Sequence, residues 1–212
     1  LLTSTSGSIS SLSGNSIAGD SFFIDDQSTN NVNAVGNSFD EASNFRIEDK
    51  MHHRVDTDLA VTNGLVTWVA GNIYVTSSGT DSTIQRGVDS ASTGNTVNVE
   101  SGTYHQDVLA SVAGMHLLGA GAGSTIVSGA IGGDVSTIHL TASNVEVAGF
   151  TITRDGNNTT DWNNAGLNSA GIAVQGTAIS GMNIHDNLIT GNRTGIDVNN
   201  SNNHSIHNNV ID

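Results

Sequence analysis

Residues 180–212 read SGMNIHDNLITGNRTGIDVNNSNNHSIHNNVID and contain one phrase twice. The first copy, IHDNLI, occupies residues 184–189, and the second copy, IHNNVI, occupies residues 206–211. The copies lie 22 residues apart, and in each of them isoleucines flank an asparagine. A fixed interval of about 20 to 50 residues indicates a repeat architecture, in which one small unit stacks on the next.

The same interval recurs towards the other end of the chain, where GNSI at 14–17 returns as GNSF at 36–39. Between the two ends, short segments with a polar residue between apolar neighbours align as one strand position. Alternation with a period of two predicts strands with one buried face. The aligned segments are MHL at 115–117, VEV at 145–147, MNI at 182–184 and HSI at 204–206.

Short strands and turns repeated at this interval predict an all-β fold, a parallel β-helix with coils of 22 residues. A single coil cannot bury its apolar edge, so it stacks on its neighbours about 4.8 Å away. Further short strands are predicted after the turns, at 22–24, 172–174 and 196–198.

Asparagine recurs at the corner of the predicted coils, as Asn15 and Asn37 in one region and as Asn187 and Asn209 in another. Asparagine tolerates the left-handed backbone that a tight corner requires. In stacked coils its side-chain amide can also bond to the equivalent amide above or below. We therefore expect two structural ladders, Asn15 over Asn37 and Asn187 over Asn209, with each asparagine in a left-handed corner.

The composition excludes several classes of partner. The chain has 212 residues and a formal net charge of −14, from 20 acidic and 6 basic residues. Nucleic acids and anionic membranes require Lys and Arg, so we expect neither as a partner. No apolar run approaches the roughly 18 residues of a membrane span, so we expect no membrane insertion. The absence of cysteine excludes disulfides and thiolate metal sites.

A second stretch, STIQRGVDSASTGNTVNVESGTY at 82–104, resembles the opening segment of the right-handed parallel β-helix proteins of the pectate-lyase-like superfamily. In that superfamily a short amphipathic helix caps the first coil before a strand that ends in Gly-Thr-Tyr. Here Ser82 and Gln85 predict a capping box, and Ile84 and Val88 lie on one apolar stripe. The resemblance implies the fold and leaves function open, because the superfamily includes lyases, hydrolases, epimerases, tailspikes, adhesins and structural coils.

Within the connector between two blocks of coils, residues 44–56 predict an amphipathic helix, because Ile47, Met51 and Val55 are spaced by four. A strand is predicted at 65–69. The sequence leaves open whether the two blocks form one solenoid. The predicted parts are the terminal coils of one block at 1–40, the connector with a short helix at 41–72, and the start of a second block at 73–212, with a capping helix near 82–92.

The interval between the strand positions of Val147 and Ile184 is 37 residues instead of 22, so the extra residues are predicted to leave the coil as a loop. Loops on solenoids gather on one face and carry binding sites. Asp155, Asn157 and Asp161 place oxygen ligands at alternate positions, as calcium loops do. These three residues are the candidate calcium site, and the alternative is a polar surface loop.

In the same loop, Arg154 and Trp162 are the candidate contacts for a polysaccharide, since aromatic and charged side chains form carbohydrate platforms. Catalytic residues are not predicted, because the carboxylates are scattered among turns and no motif links them to a basic group. His185 and His207 lie one coil apart on an outward position and are expected to stack in solvent. His204 is expected to point inward.

These patterns favour a structural or adhesive β-helix module of a secreted or cell-surface bacterial protein, as in large exoproteins built from tandem modules. The expected partners are adjoining modules or copies of the chain itself, paired end to end in a longer chain or a filament. The sequence shows no signal peptide, so we expect a mature or excised piece of a larger protein. Two alternatives stay open: a fragment of a polysaccharide lyase or hydrolase, and a carbohydrate-binding module without catalysis.

Overall fold

A computed structural model describes residues 2–4, 9–19, 21–131, 136–155 and 170–212 of the chain. The described strands are short, and every pairing between them is parallel. Neither described helix has the length and apolarity that crossing a membrane requires. The elements before residue 72 are β1 (Leu2–Ser4), β2 (Ser16–Ile17), β3 (Ile24–Asp26), β4 (Val32–Asn33), β5 (Ser38–Phe39), α1 (Asn44–Glu48), β6 (Met51–His52) and β7 (Val66–Thr67).

The remaining elements form the second block of coils. They are β8 (Asn72–Val75), α2 (Ile84–Ser90), β9 (Thr96–Val99), β10 (Gly102–His105), β11 (Val108–Ala110), β12 (His116–Gly119), β13 (Thr125–Gly129), β14 (Ser136–Leu140), β15 (Glu146–Ala148), β16 (Thr151–Arg154), β17 (Ala170–Gln175), β18 (Asn183–His185), β19 (Leu188–Ile189), β20 (Thr194–Asn199), β21 (Ser205–His207) and β22 (Val210–Ile211).

Three parallel sheets run along this second block of coils, one for each side of the coil. The six-stranded sheet has the order β8-β9-β12-β15-β18-β21, the five-stranded sheet the order β10-β13-β16-β19-β22, and the four-stranded sheet the order β11-β14-β17-β20. From β9 onwards, strands that follow one another along the chain lie in different sheets, whereas β8 and β9 are neighbours in the six-stranded sheet. This arrangement is the right-handed parallel β-helix that the repeat predicted.

The alternation of apolar and polar residues sets the register of these sheets. Leu117 pairs with Val147, which pairs with Ile184, and all three side chains are fully buried. Their polar neighbours along each strand point to the outer face, as the period of two requires. The four segments aligned in the sequence do stack as one strand position.

The coil length is constant only near the two ends of the chain. Paired residues are 22 positions apart in the ladders formed by Asn15 and by Asn187. In the middle of the second block the separation grows to 30 between His116 and Glu146 and to 37 between Phe150 and Asn187. The strands keep their register across these intervals, although the number of residues between paired strands differs from coil to coil.

The buried apolar residues form two clusters that meet at β8. Ile73 and Val75 belong to the larger cluster inside the second block, whereas Tyr74 belongs to the smaller cluster of the first block. Because successive side chains of a strand point to opposite faces, β8 contributes side chains to both clusters. Among the described strands, no sheet contains members from both sides of residue 72.

The connector differs from its prediction. Helix α1 begins after the cap Ser43, whose hydroxyl accepts the Arg46 N–H, and it ends at Glu48 instead of continuing to residue 56. Met51 lies in β6, which pairs with β3. The apolar residues spaced by four are therefore buried in different elements and do not form one face of a continuous helix. Tertiary pairing overrides local helical periodicity here.

Helix α2 lies at the expected place, but the predicted capping box does not form. Its N-cap is Thr83, whose side chain makes no capping bond. The backbone N–H of Gln85 instead donates to the side chain of Gln106, 3.1 Å away on the next coil. The Gln85 side chain in turn accepts the N–H of Leu109 at 2.7 Å, so the helix is capped by the solenoid that it covers.

Candidate functional site

Each pair of predicted ladder asparagines bonds across neighbouring coils. Asn15 Nδ2 lies 3.0 Å from Asn37 Oδ1, and Asn187 Nδ2 lies 3.0 Å from Asn209 Oδ1. The same two oxygens accept the backbone N–H groups of Asn15 at 3.0 Å and of Asn187 at 3.1 Å. The hydrogen-bonding groups of these amides are therefore used within and between the coils.

The left-handed corner residue is not the ladder asparagine, as the sequence had suggested, but the residue before it. The φ angles are 54° at Asp186 and 55° at Asn208 in one ladder, and 75° at Gly14 and 89° at Gly36 in the other. The ladder asparagine follows the corner and turns its amide back to a carbonyl of its own coil. The left-handed residue thus sets the direction of the asparagine side chain. The amide of that side chain then bonds to a carbonyl of the same coil.

The predicted calcium and carbohydrate residues are only partly described, since Asn157, Asp161 and Trp162 lie outside the described residues. Asp155 accepts hydrogen bonds from Ser128 and from His105, whose Nδ1 lies 2.9 Å away. The Ser128 hydroxyl, more than His105, lowers the pKa of Asp155 below its usual value.

Arg154, the predicted polysaccharide contact, is 3% exposed, and its Nη1 donates to the Ala130 carbonyl at 2.6 Å. The buried position of Arg154 lends no support to the polysaccharide contact, which stays a prediction.

A group of polar side chains joined by hydrogen bonds lies on the outer face of the six-stranded sheet. The register places His116 beside Glu146 and Glu146 beside Asn183, while His185 stands beside His207 in the parallel column. We call these five residues the imidazole–carboxylate strip. Its members are carried by four neighbouring strands, so their spacing is fixed by the backbone of the sheet.

Glu146 is the centre of the strip. Its two oxygens contact His116 Nδ1 at 2.5 Å and His185 Nε2 at 2.8 Å, and Asn183 Nδ2 donates to it at 3.1 Å. The rings of His185 and His207 stack with centroids 4.9 Å apart and planes 2° apart. The stacking of these two imidazoles agrees with the expectation from sequence.

The contacts of the strip favour its charged forms. Burial alone would raise the pKa of Glu146, but hydrogen bonds from His185 and His116 outweigh burial and lower it. Hydrogen bonds to Glu146 and then to Asp186, whose carboxylate lies 2.7 Å from Nδ1, raise the pKa of His185. His185 thus lies between two carboxylates, and both of its ring nitrogens are occupied.

This arrangement suits cohesion better than acid–base catalysis. A general base needs a free lone pair directed at the substrate, and both nitrogens of His185 already face carboxylates. Glu146 likewise has both oxygens engaged, which leaves it a poor nucleophile for glycosidic bonds. The six strands of this sheet also carry no Lys or Arg. The strip therefore links successive coils by hydrogen bonds and presents a flat polar surface.

Sequence reasoning identified the stacked histidines but missed the role of Glu146 and His116. The signal was present, because both are the central residues of segments that align as one strand position. Reading those central residues as a column, and not only the apolar residues beside them, places an imidazole next to a carboxylate.

His204, expected to point inward, is partly buried. Its Nδ1 accepts the backbone N–H of Met182 at 3.2 Å, and its Nε2 faces the Ser201 hydroxyl at 3.0 Å. Burial lowers the pKa of His204, which agrees with a neutral ring that accepts a backbone hydrogen bond.

A second surface of interest is the open side of the last coil. Ile206 and Ile211 are 43% and 55% exposed, whereas Ile184 and Ile189, directly beneath them in the register, are fully buried. The inward column of the solenoid thus continues into this coil. The structure shows there an apolar surface of the same type as the core.

No known protein family matches the chain, and no curated protein matches it. Solved structures of pectin methylesterases are similar to it at low identity, and the chain spans less than half of their length. They are a pectin methylesterase in complex with hexasaccharide VII (16% identity, TM-score 0.48, 59% of this chain and 44% of that one), a mutant in complex with hexasaccharide IV (18%, 0.49, 58% and 44%), and pectin methylesterase PemA from Erwinia chrysanthemi (17%, 0.46, 59% and 44%).

Proposed function

We propose that this chain is a structural module of a secreted or cell-surface bacterial protein, whose coils pair end to end with further coils of the same kind. The observation that carries the proposal is the exposure of Ile206 and Ile211 above the buried Ile184 and Ile189. A coil that follows in the same register would bury both side chains. Burial of apolar surface contributes roughly 25 cal/mol per Å².

The strand edges of the last coil support the same occupant. Among the described strands, β21 and β22 each pair with one strand only, so the backbone donors and acceptors on one side of each have no strand partner. An open edge with apolar side chains is a template for another strand. A second copy of the chain, or an adjoining module, supplies parallel strands at the required spacing. Because the two ends of such a stack differ, the contact is head to tail and builds a filament.

Sedimentation velocity over a range of protein concentrations tests this proposal. The parent chain should form species larger than the monomer as concentration rises. An Ile206→Asp, Ile211→Asp double variant should remain monomeric, because both side chains are exposed and their charge blocks only the contact. Val61→Asp, at another exposed apolar position, is the matched control and should associate as the parent does.

A parent chain that stays monomeric at every concentration contradicts end-to-end pairing. So does a double variant that associates as strongly as the parent, because the contact would then lie elsewhere. Unchanged thermal unfolding of each variant at low concentration establishes that the substitutions act on the contact and not on the fold.

A second candidate function, carbohydrate binding without catalysis, is favoured by the imidazole–carboxylate strip. The strip is flat, polar and rigid, and the stacked rings of His185 and His207 offer a surface for a sugar chain. Affinity electrophoresis in gels that contain neutral or acidic polysaccharides tests it. His207→Ala should abolish any retardation that the parent shows, and His105→Ala, on the five-stranded sheet, should leave it unchanged. Release of new reducing ends would instead favour the hydrolase alternative.

A further inference from the structure

A group of potential metal ligands lies in the connector, away from the imidazole–carboxylate strip. His52 is in β6, and Asp56 and Asp58 follow it in the next turn; their ligand atoms all lie within 4.8 Å of one another. His52 Nε2 is 3.2 Å from Asp58 Oδ1 and 3.3 Å from Asp58 Oδ2. Donors about 3.3 Å apart are the spacing of a tetrahedral zinc site with ligands near 2.0 Å.

The other nitrogen of His52 is already held. The pairing of β3 with β6 puts Asp25 opposite His52, and Asp25 Oδ1 lies 2.8 Å from Nδ1. Gln27 Nε2 fixes that carboxylate with bonds of 3.1 and 3.2 Å. A carboxylate on Nδ1 directs the Nε2 lone pair towards the other ligands, which is the usual arrangement at histidines that bind metal.

A second, independent observation comes from the cavity beside this group. The cavity has a volume of about 260 Å³, and Asp56 and Glu48 are among its lining residues. Glu48 is 2% exposed; its Oε1 contacts His53 Nε2 at 2.9 Å, while its Oε2 has no hydrogen-bond partner among the described residues. A buried carboxylate oxygen left unpaired costs about 1–3 kcal/mol or more, so its presence points to a missing group.

The ligand group and the cavity share walls. Asp56 belongs to both, and Phe22, which stacks on the His52 ring at 5.4 Å, also lines the cavity. Asp49 and Asp81 complete an acidic lining. Burial, and then the neighbouring Glu48 carboxylate, raises the pKa of Asp81 to about 8.

We propose that His52, Asp56 and Asp58 bind a divalent transition-metal ion such as zinc, with the fourth coordination position open to the acidic cavity. Glu48 lines that cavity, and its Oε2 would accept a hydrogen bond from a water molecule bound there. Asp56 already accepts the His53 N–H and the Thr80 hydroxyl, and its oxygens retain lone pairs for a metal. The ion would tie β6 to the turn that follows it.

Isothermal titration with zinc and absorption spectroscopy with cobalt(II) test the proposal. The parent chain should bind one ion, and cobalt should give the d–d bands of a four-coordinate site with a nitrogen ligand. Asp58→Asn should weaken binding at least tenfold, because it removes a charged ligand that is 53% exposed and not needed for folding. His52→Gln should change the cobalt spectrum.

Asp186→Asn is the matched control, since Asp186 is also an exposed carboxylate in contact with a histidine. It should bind zinc as the parent does. Absence of stoichiometric zinc binding in the folded parent overturns the proposal, as does equal loss of affinity in the Asp58 and Asp186 variants. Circular dichroism without metal confirms that each variant is folded before titration.

Discussion

The two asparagine ladders make the same bonds at different depths. Asn15 and Asn37 directly precede the short strands β2 and β5, and Asn15 is exposed. Asn187 is 1% exposed beside the larger core and makes additional bonds to Phe150 and Val147. The repeated sequence thus specifies the geometry of the corner. The energy that each corner contributes depends on how many coils lie around it.

The corners themselves give the largest expected difference between the two blocks. Gly149 has a φ of 80°, and a Cβ there would lie 2.6 Å from the Gly119 carbonyl oxygen. Gly14 has a φ of 75°, with nothing within 4 Å of the same position. We expect Gly149→Ala to destabilise the protein by about 3 kcal/mol, from left-handed strain and overpacking together.

Gly14→Ala carries the left-handed strain alone and should cost about 1 kcal/mol. Urea unfolding of both variants measures the difference. Equal losses at the two positions would show that the coils of the two blocks are packed alike, contrary to the distinction between them.

The ladders give the next largest difference. Replacing Asn187 by Leu leaves the Phe150 N–H and the Val147 carbonyl without their partner in a buried environment, so we expect a loss of about 2–3 kcal/mol. Asn15→Leu removes the equivalent inter-coil bond near solvent, where water replaces it, and should cost less than about 1 kcal/mol. Unfolding curves that coincide for the two variants would contradict the dependence on depth.

Much of this framework could be predicted from sequence, because each coil of a solenoid contains the same short pattern that sets its contacts with the next coil. The 22-residue interval predicted the pairs of ladder residues, and the alternation within segments such as VEV at 145–147 predicted the register. The left-handed residue was assigned one position late. In Asp186-Asn187 both residue types tolerate that conformation, whereas Gly14-Asn15, at the matching position of the other block, distinguishes them.

The connector was less predictable, since its structure depends on contacts between distant segments. The spacing of Met51 suggested a continued helix, but pairing of β6 with β3 ends it. The group formed by His52, Asp56 and Asp58 is close in sequence, yet the Asp25 contact that orients His52 comes from an earlier coil. No repeat marks that contact, because the connector occurs once.

The strip on the six-stranded sheet gives the smallest expected effect, and it depends on pH. The lowered pKa of Glu146 adds stability that is present above its ordinary value of 4.5 and is lost as pH falls through its folded value. The raised pKa of His185 adds stability that is present below 6.5 and is lost as pH rises through its folded value. The pair is therefore worth most between pH 4.5 and 6.5.

Glu146→Gln should lower the free energy of unfolding by about 1 kcal/mol or less in that window, since the pair is partly exposed. The difference from the parent should shrink on both the acid and the alkaline side. Chemical denaturation across the pH range measures it. A difference that stays constant with pH would mean that Glu146 acts by packing and not by charge.

Residue-resolved amide hydrogen exchange of the last coil, measured at low and high protein concentration, tests end-to-end pairing most directly. Ser205 and Val210 donate to the coil beneath at 2.8 Å, so their N–H groups should exchange slowly at both concentrations. Successive residues of a parallel strand point their N–H groups to opposite neighbours, so those of Ile206 and Ile211 face the open side. We expect these two to exchange quickly in dilute solution and slowly at high concentration. Equally fast exchange of Ile206 and Ile211 at both concentrations would contradict the proposed function.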